Sequence, residues 1–94
     1  MLVVLFRSRL KPGAAESGYP EMATEMLERA RTFPGFVDFK SFAAPDGERI
    51  SIVHWKDEET MAVWRNDERH RIAQQRGKTE WYESYSLEVA EVKR

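Results

Sequence analysis

The sequence predicts an α+β domain: a four-stranded antiparallel sheet with helices on one face. Three observations predict it. The apolar pattern runs strand, helix, strand, strand, helix, strand; turn residues fall at the joints; and the strands carry apolar side chains on both faces. The order β-α-β-β-α-β is the split βαβ, or ferredoxin-like, arrangement.

The first strand spans Leu2 to Leu10. It opens as a continuous apolar run and ends alternating, with Phe6, Ser8 and Leu10 opposite Arg7, Arg9 and Lys11. The continuous run indicates cover on both faces, and the alternating stretch indicates a single wet side. Lys11-Pro12-Gly13 breaks it. The first helix runs from Tyr19 or Pro20 to Thr32, with Tyr19, Met22, Ala23, Met26, Leu27 and Ala30 on one stripe. Ser17 or Gly18 caps it, and Pro34-Gly35 stops it.

The second strand, Phe36 to Ala44, places Phe36 and Phe42 on one face and Val37 and Phe39 on the other. Pro45-Asp46-Gly47 turns the chain into the third strand, Arg49 to Trp55, where Ile50, Ile52 and His54 oppose Val53 and Trp55. Asp57 caps a second helix whose apolar side is Met61, Ala62 and Trp64. Asn66-Asp67 breaks it and caps anew. From Asp67 to Lys78 the chain is helical in composition with only Ile72 and Ala73 apolar, and Gly77 ends it. The last strand is Trp81 to Val92, with Tyr85, Leu87 and Val89 on one face.

All 94 residues fit one domain, 1–94. Helices can cover only one face of such a sheet, and the other face is also apolar, so a homodimer that closes the sheet into a barrel is expected. A net charge of −1 gives no general attraction to nucleic acid or anionic membrane, and Arg69, Arg71, Arg76 and Lys78, with Asp67, Glu68 and Glu80 flanking them, read as a solvated face. There is no cysteine, which excludes disulfides, thiolate nucleophiles and Cys-ligated metals. No segment suits a bilayer span, and the apolar start is too short for a signal peptide, so the cytoplasm is the expected location.

No phosphate loop, GxSxG or HExxH is present. The candidates for chemistry concentrate in the second helix and its polar extension. Trp64 offers either a core indole or a flat wall for a planar aromatic ligand. His70 and His54 are candidate proton acceptors. Asn66, Gln74 and Tyr82 are polar groups near the same elements. The polar extension, with its two-residue apolar stripe, reads as either a mobile lid or an ordinary surface helix.

Val53-His54-Trp55-Lys56-Asp57-Glu58-Glu59-Thr60-Met61-Ala62-Val63-Trp64-Arg65-Asn66 resembles the strand-to-helix segment of the antibiotic biosynthesis monooxygenase (ABM) family. Pro34-Gly35-Phe36 resembles that family's turn into its second strand, and Trp81-Tyr82-Glu83-Ser84-Tyr85 the start of its last. The resemblance implies a dimeric α/β barrel with a pocket between sheet and helices. It implies a cofactor-independent monooxygenase of a small aromatic or quinol substrate, with Trp64 stacking and His70 or His54 as base. In the quinone-forming branch an Asn precedes the helix Trp by four positions and a Tyr follows by six; here those positions hold Thr60 and His70. Haem-degrading members carry an Asn on the first strand and an axial His ten positions after the Trp. Here Ser8 and Gln74 stand there, so the resemblance disfavours haem unless His70 or His54 substitutes. Ser8 is a substrate-contact candidate on the same footing. A non-catalytic ligand-binding barrel is the further alternative.

Overall fold

The computed structural model describes residues 1–94. Its elements are β1 (Leu2–Leu10), α1 (Tyr19–Ala30), β2 (Phe36–Ala43), β3 (Arg49–Trp55), α2 (Glu58–Arg65), α3 (Glu68–Arg76) and β4 (Tyr82–Glu91). The four strands form one antiparallel sheet in the order β2-β3-β1-β4. This is the ferredoxin-like α+β arrangement that the element order predicts.

The ladders fix which side chains share a face, because directly opposed residues point the same way. Leu2 faces Trp55, Val4 faces Val53, and Ser8 faces Arg49 on one side and Tyr85 on the other. These residues point to the helix side of the sheet. Trp55, Met61, Trp64 and Ala30 form one buried cluster with Leu2, Val4, Met26, Phe33, Phe36 and Val53 around it. Ala14, Met22 and Trp81 form a second, bordered by Leu10, Tyr19, Met26, Ala73 and Tyr82. Met26 touches both clusters and joins them. The opposite, open face carries Val3, Leu5, Arg7 and Arg9 from β1, Ile50, Ile52 and His54 from β3, and Phe42 from β2.

The second strand departs from simple alternation. A bulge between Phe36 and Asp38 inserts Val37, so Phe36 opposes Trp55 and Phe39 opposes Val53 on the helix side, while Phe42 opposes Ile50 on the open side. Phe36 and Phe42 therefore lie on different faces, contrary to the period-two reading; the extra residue reverses every later side chain.

The helices begin where the sequence places their caps. Asp57 Oδ1 accepts from the Thr60 amide at 2.8 Å, and Asp67 accepts from the His70 amide at 3.0 Å. Gly77 is the C-cap of α3, as the sequence predicts, but without a left-handed backbone. Its backbone is helical (φ −57, ψ −48), and the chain continues through a wide turn, Gly77–Trp81, into β4. Glycine stands there for space: a Cβ would lie 2.3 Å from the Tyr82 ring. Gly35 meets a second requirement, with φ +86 and Thr60 Oγ1 2.2 Å from where its Cβ would be. No helix is long and apolar enough to cross a membrane.

Candidate functional site

The residues singled out in the sequence separate into three places. Trp64, His70 and Gln74 lie together between α2, α3 and the sheet. Trp64 is 8% exposed. The His70 ring stacks on it with centroids 4.2 Å apart at 15°, Trp55 stacks at 6.3 Å, and Phe33 meets it edge-on at 5.0 Å. The indole is therefore core, and its faces are occupied by protein. His70 Nδ1 lies 3.1 Å from the Trp64 carbonyl oxygen. A carbonyl only accepts, so Nδ1 carries the proton and Nε2 is the basic nitrogen. Burial lowers the His70 pKa from its ordinary value, partly opposed by the Trp64 carbonyl and by Asp67, so the ring is neutral at pH 7. Gln74 Nε2 is 3.5 Å from His70 Nδ1.

His54 is on the open sheet face, where its Nδ1 meets Asp38 Oδ1 at 2.7 Å across the β2–β3 ladder. The sheet separates it from Trp64 and His70. Asn66 is exposed at the C-terminus of α2, donating to the Ala62 carbonyl at 3.0 Å. Thr60 stands where the quinone-forming branch carries Asn. It serves structure here: Oγ1 donates to Asp57 Oδ1 at 2.9 Å and the side chain packs on Gly35.

Ser8 and Tyr82 define the third place, beneath the N-terminal end of α1. Ser8 is 6% exposed, yet its hydroxyl makes no hydrogen bond within the chain. Every fully buried side-chain nitrogen or oxygen has a partner. The Ser8 Oγ therefore keeps some contact with solvent on the helix side of the sheet, at a spot termed the Ser8 crevice. Aromatic rings neighbour it. Phe6 lies 5.2 Å from Tyr82 and 6.1 Å from Tyr85, Tyr82 and Tyr85 lie 6.0 Å apart, and Tyr19 meets Tyr82 edge-on at 6.1 Å. A shift in the β1–β4 register between Arg9 and Leu10 sets Tyr82 opposite Leu10 while Tyr85 stays opposite Ser8. Burial, reinforced by Tyr19, pushes the Tyr82 phenol up to about 12 against the charge of Arg49. Tyr82 is thus a proton donor at neutral pH.

Sequence reasoning missed Phe6, Tyr19, Arg49 and Tyr85. The helices stop short of the β4 edge, which leaves Tyr85, Leu87 and Val89 about half exposed although they face the helix side.

The family model for antibiotic biosynthesis monooxygenase matches residues 1–76. The chain belongs to this family. It is 35% identical over 79 residues to the uncharacterized protein YqjZ of Bacillus subtilis, covering 84% of this chain and 69% of that one. It is 30% identical to a jasmonate monooxygenase ABM of Pyricularia oryzae over 98% of this chain, which spans only 43% of the fungal protein. Among solved structures, an antibiotic biosynthesis monooxygenase superposes over the whole of both chains with a TM-score of 0.80 at 18% identity. A conserved protein from Methanosarcina mazei Go1 superposes with a TM-score of 0.86 at 13% identity, over 98% of this chain and 92% of its own. At these identities the structural matches establish the fold of the family.

Proposed function

We propose that this protein is a cofactor-independent monooxygenase acting on a small aromatic or quinol substrate bound in the Ser8 crevice. One observation carries the reading: a serine only 6% exposed, its hydroxyl without a protein partner, among four aromatic rings. A buried polar group keeps its hydrogen-bonding demand, and a ring-bearing ligand with a hydroxyl or carbonyl meets it while stacking on the walls.

The chemistry asked of the chain is modest. A base removes a proton from an activated C–H of the substrate; oxygen adds to the carbanion; the hydroperoxide loses water, so that CH2 and O2 become C=O and H2O. The protein positions the ring and stabilises the developing oxyanion. Ser8 and Tyr82 are the donors for that oxyanion. His70 is assigned as the base because it is the histidine on the helix side of the sheet and is neutral at pH 7. It lies in the neighbouring Trp64 cluster, while Ala73 of the same helix borders the second cluster together with Tyr82. Trp64 holds the His70 ring, with Gln74 beside it, and His54, on the other sheet face, has no role in this site. The working form is a homodimer joined through the open sheet face.

Oxygen uptake with anthrone and hydroquinone substrates tests the reading. Uptake is expected with the wild type and to fall in Ser8→Ala and His70→Ala. Uptake no greater than that of His70→Ala overturns it. Haem titration adds a second check: a Soret shift on binding would transfer the assignment to a haem enzyme.

A further inference from the structure

Beside Ser8 in the sheet stands a cation that the protein leaves unmatched; the same residue also borders the groove on the open face. Arg7, Arg9, Arg29, Arg69 and Arg76 each meet an acidic side chain, respectively Glu48, Asp46, Asp67, Glu25 and Glu80. Arg31, Arg65, Arg71 and Arg94 are exposed and need no partner. Arg49 is the exception. It is half-buried, yet no acidic side chain pairs with it and its guanidinium makes no hydrogen bond within the chain.

Its place in the ladder matters. Ala43, Arg49, Ser8 and Tyr85 form one row across β2, β3, β1 and β4, on the helix side of the sheet. Arg49 thus neighbours the unpartnered Ser8 hydroxyl, and its charge reaches the Tyr82 phenol. Partly desolvating a guanidinium without a counter-charge is unfavourable, and the planar fork is suited to a carboxylate.

We propose that the ligand of this crevice is an aromatic carboxylate, with Arg49 pairing its carboxylate, Ser8 donating to it, and the ring lying against Phe6, Tyr82 and Tyr85. The Tyr82 phenol, the other donor of the crevice, is left to meet a hydroxyl or carbonyl substituent, which favours a hydroxylated aromatic acid. This rests on the crevice being the substrate site, and Arg49 is then the residue that selects among aromatic substrates.

Calorimetric titration of the purified protein with 4-hydroxybenzoate and its neutral analogue 4-hydroxybenzyl alcohol tests the proposal. The wild type should bind the acid about tenfold more tightly than the alcohol. Arg49→Gln should remove that preference, weakening the acid about tenfold more than the alcohol. Arg49→Lys should keep some of it, having the charge but not the fork. The preference should shrink with added salt. Melting temperatures of both variants, with Ser8→Ala beside them, guard against a folding defect.

Equal affinity for acid and alcohol in the wild type, with both lost in Ser8→Ala, overturns the role of Arg49 and leaves the crevice standing. Binding of neither compound, or binding indifferent to Ser8→Ala, overturns the crevice reading and this proposal with it. Absence of preference together with conversion of Arg49→Gln to a monomer assigns the counter-charge to a second copy and also overturns the proposal.

Discussion

The imidazole of His70 lies flat on the indole of Trp64, with ring centroids 4.2 Å apart and planes 15° from parallel. The contact binds the polar helix α3 to the core, because α3 has no buried residue of its own. Burial lowers the His70 pKa from the ordinary 6.5. The sign of the consequence follows. The unfolded chain takes up the proton more readily than the folded one, so the contribution of neutral His70 is complete above pH 6.5. It is lost as pH falls through 6.5 towards the lowered folded value. Urea unfolding between pH 8 and pH 5 should therefore show a steeper loss of stability in the wild type than in His70→Gln. Parallel profiles would show that the stacking is not coupled to protonation.

Asp67 secures the same helix from its first turn. Its carboxylate accepts from the His70 amide at 3.0 Å and takes both nitrogens of Arg29 at 2.8 Å. The Arg29 bond above all holds its pKa down to about 2. The stabilisation is therefore present above the ordinary 3.8 and is lost as pH falls towards about 2. Asp67→Ala should cost about 1 kcal/mol from the lost cap alone. Because α3 has a weak apolar stripe, the loss should appear as faster amide hydrogen exchange confined to α3. Uniform acceleration across the sheet would show instead that α3 and the core unfold together.

The fold was legible because its signals are local. Alternation in β1 places Phe6, Ser8 and Leu10 on one face, and Asn66-Asp67 marks the break that separates α2 from α3. The bulge at Val37 was not legible, since one inserted residue leaves no mark in composition and yet moves Phe42 to the opposite face from Phe36. Gly77 read as a helix end because glycine commonly serves that way; the close approach of Tyr82 is a tertiary fact. The site was legible only in fragments. Ser8 drew notice through a family position, and Tyr82 through proximity in sequence. Arg49 and Tyr85 join Ser8 through strand register, which no local pattern encodes. The separation of His54 from His70 likewise depends on which side of the sheet each element packs.

Gly77 links backbone space to the crevice. Its φ of −57 suits any residue, so alanine carries no backbone strain there and would ordinarily favour helix. A Cβ would nevertheless fall 2.3 Å from Tyr82 Cε2 and force the ring aside. Gly77→Ala should destabilise by about 1–3 kcal/mol, the usual cost of overfilling a packed site, and should weaken binding of aromatic ligands. In the double variant Gly77→Ala/Tyr82→Ala, the Gly77 change should cost little beyond what Tyr82→Ala costs alone, and binding should stay lost. Additive losses in a thermal double-mutant cycle would place the effect of Gly77 elsewhere.

The open sheet face sets the last prediction. Leu5, Ile50 and Ile52 stand side by side in neighbouring strands, with Phe42 beside them 49% exposed, and no helix covers them. A shallow groove of about 450 Å³ runs between Leu5, Ile50 and Phe42, with the Arg7–Glu48 pair at its end. In isolation this face would leave apolar area in water that a second copy of the same sheet can cover, and a stable pair needs roughly 800 Å² from each partner. Sedimentation should give twice the chain mass for the wild type. Ile52→Lys places a charge at the centre of the face and should give the single chain mass with an unchanged helical spectrum. Val63→Lys, at an exposed site on α2, is the control and should remain dimeric. A monomeric wild type at micromolar concentration would overturn the barrel. A dimer that survives Ile52→Lys would move the interface to another surface, the half-exposed Tyr85, Leu87 and Val89 row of β4 being the next apolar surface available.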